Sequence, residues 1–186
     1  MSDFKPHVPE ALASYTLCVT GFSGYVGRHL VATLIDAGIR PFLIGRAGCE
    51  IESVTGADVA LRWDTAGDLA KQLANLRDPI VLNIAGHFVS KHVPADIPLL
   101  IAGNLEFPIK IFEAMALSAT TRIVNVGTSW EYLDTGVSKA ANLYAQLKAL
   151  NAVTLEWYAQ HFPLQALNLK LNDTYGGDDT RSKLMP

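Results

Sequence analysis

Cysteine is scarce in this chain: only Cys18 and Cys49 occur in 186 residues, at no metal-binding or redox spacing. Cys18 falls inside an apolar run and reads as a small buried hydrophobe, with no disulfide framework to suggest an oxidising compartment. No apolar run approaches the ~18 residues of a membrane span. The stretch Met1 to Glu10 carries Asp3, Lys5, Pro6 and Pro9 rather than a signal-peptide core. A cytoplasmic location without membrane attachment is the expectation. Basic clusters are also lacking, and a formal charge of −3 argues against nucleic acid or an anionic membrane as partner. His7, His29, His87, His92 and His161 share no ligand spacing, so no metal is expected. No glycine-rich loop ends in Gly-Lys-Ser or Gly-Lys-Thr, which excludes a phosphate-loop NTPase.

What the chain does have is apolar content, 49% of its residues, enough for one domain with a sizeable core. Strand and helix signals alternate. Apolar strands are expected at Tyr15–Thr20, Pro41–Ile44, Asp58–Trp63, Ile80–Ile84, Arg122–Val126 and Ala166–Leu171. Helical spacing marks Tyr25–Ala37, Leu69–Leu76 after an Asp64-Thr65 cap, Asn104–Leu117 and Ser138–Gln160. Pro108 must fall in a first turn or kink its helix. His87–Pro98, with two prolines and no period, reads as loop. This alternation predicts an α/β fold, a doubly wound parallel sheet with ligands at the carboxyl ends of the strands.

The first such end carries Gly21-Phe22-Ser23-Gly24-Tyr25-Val26-Gly27. Three glycines at fixed offsets arise by chance in roughly one chain of this length in twenty, so spacing alone decides little. The setting decides more: strand, glycine turn and helix together let backbone N–H groups and a helix N-terminus hold a phosphate. Gly21 would permit the tight turn, Gly24 the approach of a pyrophosphate, and Gly27 close helix packing. At the end of the second strand stands Gly45-Arg46, with no carboxylate. An arginine there pairs with a ribose 2′-phosphate, so NADP is favoured over NAD, although Glu50 or Glu52 could still turn inward.

Tyr144 and Lys148 lie four apart on the longest helix and share a face. A phenol with a pKa near ~10 becomes a useful base only if about 4 kcal/mol of stabilisation moves it by ~3 units, which a nearby ammonium could supply. Thr128 or Ser129, at the end of the preceding strand, would add a hydroxyl to hold a carbonyl or alkoxide oxygen.

Together these residues resemble the extended short-chain dehydrogenase/reductases, the nucleotide-sugar epimerases, dehydratases and reductases. The resemblance rests on Thr20 to Gly27, Asp64, Asn83-Ile84-Ala85-Gly86, Asn104, Thr128, Tyr144 to Lys148 and Leu169 to Gly176. It implies a Rossmann fold, with Tyr144 as acid/base, Lys148 on the nicotinamide ribose and Thr128 on the reacting sugar oxygen, Ser129 being the lesser candidate. It implies Asp64 at the adenine, Ala85 and Gly86 at the cofactor ribose and phosphates, and Asn104 supporting the lysine. Asp173 stands where many relatives place an asparagine facing the substrate. Ser129-Trp130 replace the Asp-Glu pair of sugar 4,6-dehydratases, which disfavours dehydration. Within the family, the pattern looks most like CDP-abequose synthase-type reductases of 4-keto sugars.

The expectation is therefore hydride transfer to the 4-keto group of a nucleoside-diphosphate sugar, with a 4-epimerase or a non-catalytic dinucleotide-binding module as alternatives. Family relatives continue into a smaller substrate lobe. Residues 177–186 are expected to begin it, after one NAD(P)-binding domain. A homodimer through the Asn104–Leu117 and Ser138–Gln160 helices is also implied.

Overall fold

Strand residues alternate between two layers, and that alternation builds the molecule. The computed structural model describes residues 9–47, 59–132 and 139–176. Cys49, Glu50, Glu52 and the expected lobe start at 177–186 lie outside the described residues.

Six strands form one parallel sheet: β1 Thr16–Thr20, β2 Phe42–Arg46, β3 Val59–Trp63, β4 Pro79–Asn83, β5 Arg122–Thr128 and β6 Gln165–Leu171. Their order is β3-β2-β1-β4-β5-β6. The order reverses between β1 and β4, so a crevice opens beyond their carboxyl ends. Thr20 pairs with Asn83 at that edge, and Thr128 with Leu171. The doubly wound expectation is thus met.

On one face, Leu17, Val19 and Leu43 pack with Val31 and Leu34 of helix α1, Tyr25–Asp36. On the other, Cys18, Ile44, Val81 and Ile123 meet three helices. These are α2 Ala66–Ala74, α4 Phe107–Ser118 and α5 Leu143–His161. Cys18 is fully buried, and burial pushes its thiol up to about 12. Thr65 caps α2 in a reciprocal box with Asp68, as Asp64-Thr65 suggested.

Three helix starts differ from the sequence reading, the first being α2, which begins at Ala66, directly after its Thr65 cap, rather than at Leu69. The stretch read as loop through Pro98 already contains a 3-10 turn at Pro94–Asp96 and helix α3 at Ile97–Ile101. Pro98 sits in the first turn of α3, where no N–H is needed. α3 runs through a π turn at Ala102–Glu106 into α4. Pro108 offers no N–H to the turn before it; the Asn104 carbonyl, four residues back, accepts from Asn151 Nδ2 instead, at 3.1 Å. The long helix begins at Leu143 rather than Ser138, because Asn142 caps the Ala145 N–H at 2.9 Å.

Candidate active site

The glycine loop is shaped by contacts that exclude side chains. Gly21 has φ +66°, and a Cβ there would lie 2.6 Å from the Ala85 nitrogen. A Cβ on Gly27 would come within 2.1 Å of the Gly21 oxygen, so α1 packs directly on the turn. Gly24 behaves differently: a Cβ there would meet only the Gly21 oxygen, at 3.3 Å, and the residue borders open space. No side chain caps α1. Its first-turn N–H groups, which no helix can satisfy internally, face a cleft of about 870 Å³. A dinucleotide's pyrophosphate fits this turn, because the backbone is approachable at Gly24 and the helix dipole favours an anion.

The cleft brings together Gly21 to Gly27, Arg46, Ala85, Gly86, Thr128, Tyr144, Lys148 and Asp173. Phe22 is buried in its wall. Lys148 is 3% exposed and donates to the Ala85 carbonyl at 3.1 Å and the Val126 carbonyl at 3.0 Å. An ammonium has three N–H bonds, so one remains for a ligand. Burial draws the Lys148 pKa down to about 8, opposed by the charge of Glu131. Gly86 leaves room for this reach, since a Cβ there would stand 3.1 Å from Nζ. Phe88 packs edge-on against both Tyr144, at 5.1 Å, and Trp130, at 5.8 Å, forming an aromatic wall beside the phenol.

Beneath the cleft, side-chain amides cross the sheet. Thr20 Oγ1 donates to Asn83 Oδ1 at 2.8 Å, and Asn83 Nδ2 to Asn125 Oδ1 at 2.7 Å. Asn125 Nδ2 in turn reaches Asn151 at 3.1 Å and Asn168 at 3.0 Å. Thr20 Oγ1 also accepts the Ile84 and Ala85 N–H groups, fixing the turn on which Lys148 rests. Each buried amide is thereby satisfied, as burial demands.

The model of the NAD dependent epimerase/dehydratase family matches residues 17–186. The chain belongs to that family. It is 29% identical over 170 residues to CDP-abequose synthase of Yersinia pseudotuberculosis, covering 91% of this chain and 59% of that protein. The UDP-N-acetylglucosamine 4-epimerase of Bacillus cereus shares the fold with TM-score 0.70 at 18% identity, over 89% of this chain and 58% of that one. UDP-glucose 4-epimerase of Thermus thermophilus, solved as a complex with NAD, aligns with TM-score 0.68 at 21% identity over 83% and 54%. The chain thus spans between half and three-fifths of the length of these relatives.

Not every residue expected from the family resemblance lines the cleft. Asp64 is exposed at the end of β3, outside the lining, and Ser129 is also outside it, while Thr128 and Trp130 border the cleft. Asn104 is fully buried and does not bond the lysine. It accepts the His87 N–H at 3.1 Å and donates to the His87 carbonyl at 2.8 Å, holding the loop beside Gly86. Phe88 and Glu131 drew no attention in the sequence. An isolated phenylalanine in a proline-bearing loop and an acid after Ser-Trp carry no periodic signal. Among the described residues no helix is long and apolar enough to cross a membrane, and no metal-binding cluster occurs.

Proposed function

We propose that the chain is the NAD(P)-binding domain of a nucleotide-sugar reductase acting on a 4-keto group. What supports the reading is the convergence of Thr128, Tyr144 and Lys148 on the cleft that also holds the glycine loop. When bound, the nicotinamide supplies the hydride. Tyr144 gives its proton to the carbonyl oxygen, Thr128 donates a hydrogen bond to the same atom, and Lys148 holds positive charge beside the phenol. The 29% relationship to a CDP-abequose synthase favours reduction of a CDP-linked sugar. Arg46, exposed at the end of β2 and bordering the cleft, favours NADP by pairing with its 2′-phosphate. Glu106, whose carboxyl is held low chiefly by its hydrogen bond and ion pair with Lys110 and least by Arg46, leaves that arginine available. Asp173, in the cleft lining, is the proposed sugar contact, with Ser129, just outside that lining, the lesser candidate, and residues 177–186 are the proposed start of a substrate lobe. A cytoplasmic homodimer through α4 and α5 completes the reading, supported by exposed Leu117, Leu150, Val153 and Trp157.

The test follows nicotinamide absorbance with a CDP-linked 4-keto hexose. Y144F should abolish turnover and leave NADPH affinity intact; retained turnover would refute the role of Tyr144. The names of the aligned structures favour a second reading, 4-epimerisation, in which NADPH is not consumed on balance. A 1:1 loss of NADPH with ketose rejects it. Cofactor binding without turnover of any 4-keto sugar would favour a non-catalytic module.

A further inference from the structure

The reductase reading uses Thr128 and leaves the acid three residues later unexplained. Glu131 closes the 3-10 turn Ser129–Glu131 that follows β5, and it is 1% exposed. Its Oε1 accepts the Thr128 N–H at 2.8 Å, while Thr128 Oγ1 accepts the Trp130 N–H at 3.3 Å. The strand end is thus bent into a reciprocal cap. Glu131 Oε2 lies 3.1 Å from Lys170 Nζ on β6, an ion pair without a well-directed hydrogen bond to that oxygen. The same ammonium stands 3.6 Å from the centre of the Tyr132 ring. A Cβ on Gly127 would fall 2.5 Å from Oε1, so the carboxyl group occupies space that a side chain at 127 would need.

An ordinary turn does not require any of this. Burying an acid is costly unless it is partnered, and here one partner is the backbone of the cleft-facing Thr128 while the other, Lys170, anchors the carboxylate from β6. A hydroxyl has one proton and two lone pairs. With the Trp130 N–H on one lone pair and the backbone clamped by Glu131, the Thr128 proton is left to point at a carbonyl oxygen in the cleft.

Resting on the reductase reading, we infer that Glu131 is a positioning residue: anchored by Lys170, it holds Thr128 so that the hydroxyl donates to the reacting oxygen.

The test uses the intact protein with NADPH and a CDP-linked 4-keto hexose. E131A should lower kcat about tenfold or more, while KM and the NADPH Kd stay within about twofold. E131Q keeps the Oε1 acceptor but breaks the ion pair with Lys170, so it should recover part of the loss, to about the level of K170M. In a T128A background, E131A should cost nothing further, because its effect passes through Thr128. An equal loss in both backgrounds, or an unchanged kcat, overturns the inference. If E131A does not fold, K170M replaces it: a severalfold drop in kcat at constant KM supports the anchor, and no change rejects it. Hydrogen exchange separates this inference from the reductase reading. If the wild type fails to reduce the ketose, the reductase reading falls. Loss of Thr128 amide protection in E131A but not in E131Q still upholds the clamp, and unchanged protection in E131A defeats it.

Discussion

The two ends of one sheet face are finished differently. Over β1 and β2, α1 covers Leu17, Val19 and Leu43, which are 0–3% exposed. Over β5 and β6, Leu167 and Leu169 stand on the same face as Val124 and Val126 and are 58% and 45% exposed. The glycine-loop end is held by backbone contacts too close for side chains, at Gly21 and Gly27. The β5–β6 end, bordered by Asp173 and the exposed Tyr175, rests on polar side chains that run back through Asn125 and Asn83 to Thr20. Close backbone packing and a polar ladder therefore support different parts of one cleft.

Four perturbations test that contrast. G27A drives a methyl into the Gly21 carbonyl and should cost upwards of about 3 kcal/mol, abolishing cofactor binding; urea unfolding and NADPH fluorescence measure both. N125A removes the centre of the amide ladder, stranding groups on Asn83, Asn151 and Asn168, and should cost about 3 kcal/mol by denaturation. A cost below about 1 kcal/mol would mean that water replaces the ladder.

The third perturbation is pH. Folded Lys148 loses its proton near 8 and the unfolded residue near 10.5, so the unfolded chain binds more protons between those values. Stability should therefore rise by about 1 kcal/mol from pH 8 to 9, and K148M should flatten the rise. Above 9 the gain is opposed, because Cys18 is raised from 9.0 to about 12, and Tyr158, beside Glu113, from 10.0 to about 12. The smallest effect belongs to the bare face. L167T and L169T should each change stability by less than about 0.5 kcal/mol. A larger cost would show that something covers that face in solution.

The sequence made the local features of the site legible. Glycines after an apolar strand, a tyrosine and lysine one helical turn apart, and hydroxyls at a strand end are each readable from a few neighbouring residues. The amide ladder was not, because Thr20, Asn83, Asn125 and Asn168 become neighbours only through the strand order. Pro94 and Pro98 masked the start of α3, since proline marks breaks and first turns alike. Glu131 was hidden because its importance lies in burial, which nothing local announces.

Pro108 has a mechanical consequence. By withholding a donor from its own helix it leaves the Asn104 oxygen for α5, and Asn151 takes it up. Neither helix can slide past the other without losing that link. The proline that interrupts one helix thereby ties it to another, the helix that also carries Tyr144 and Lys148.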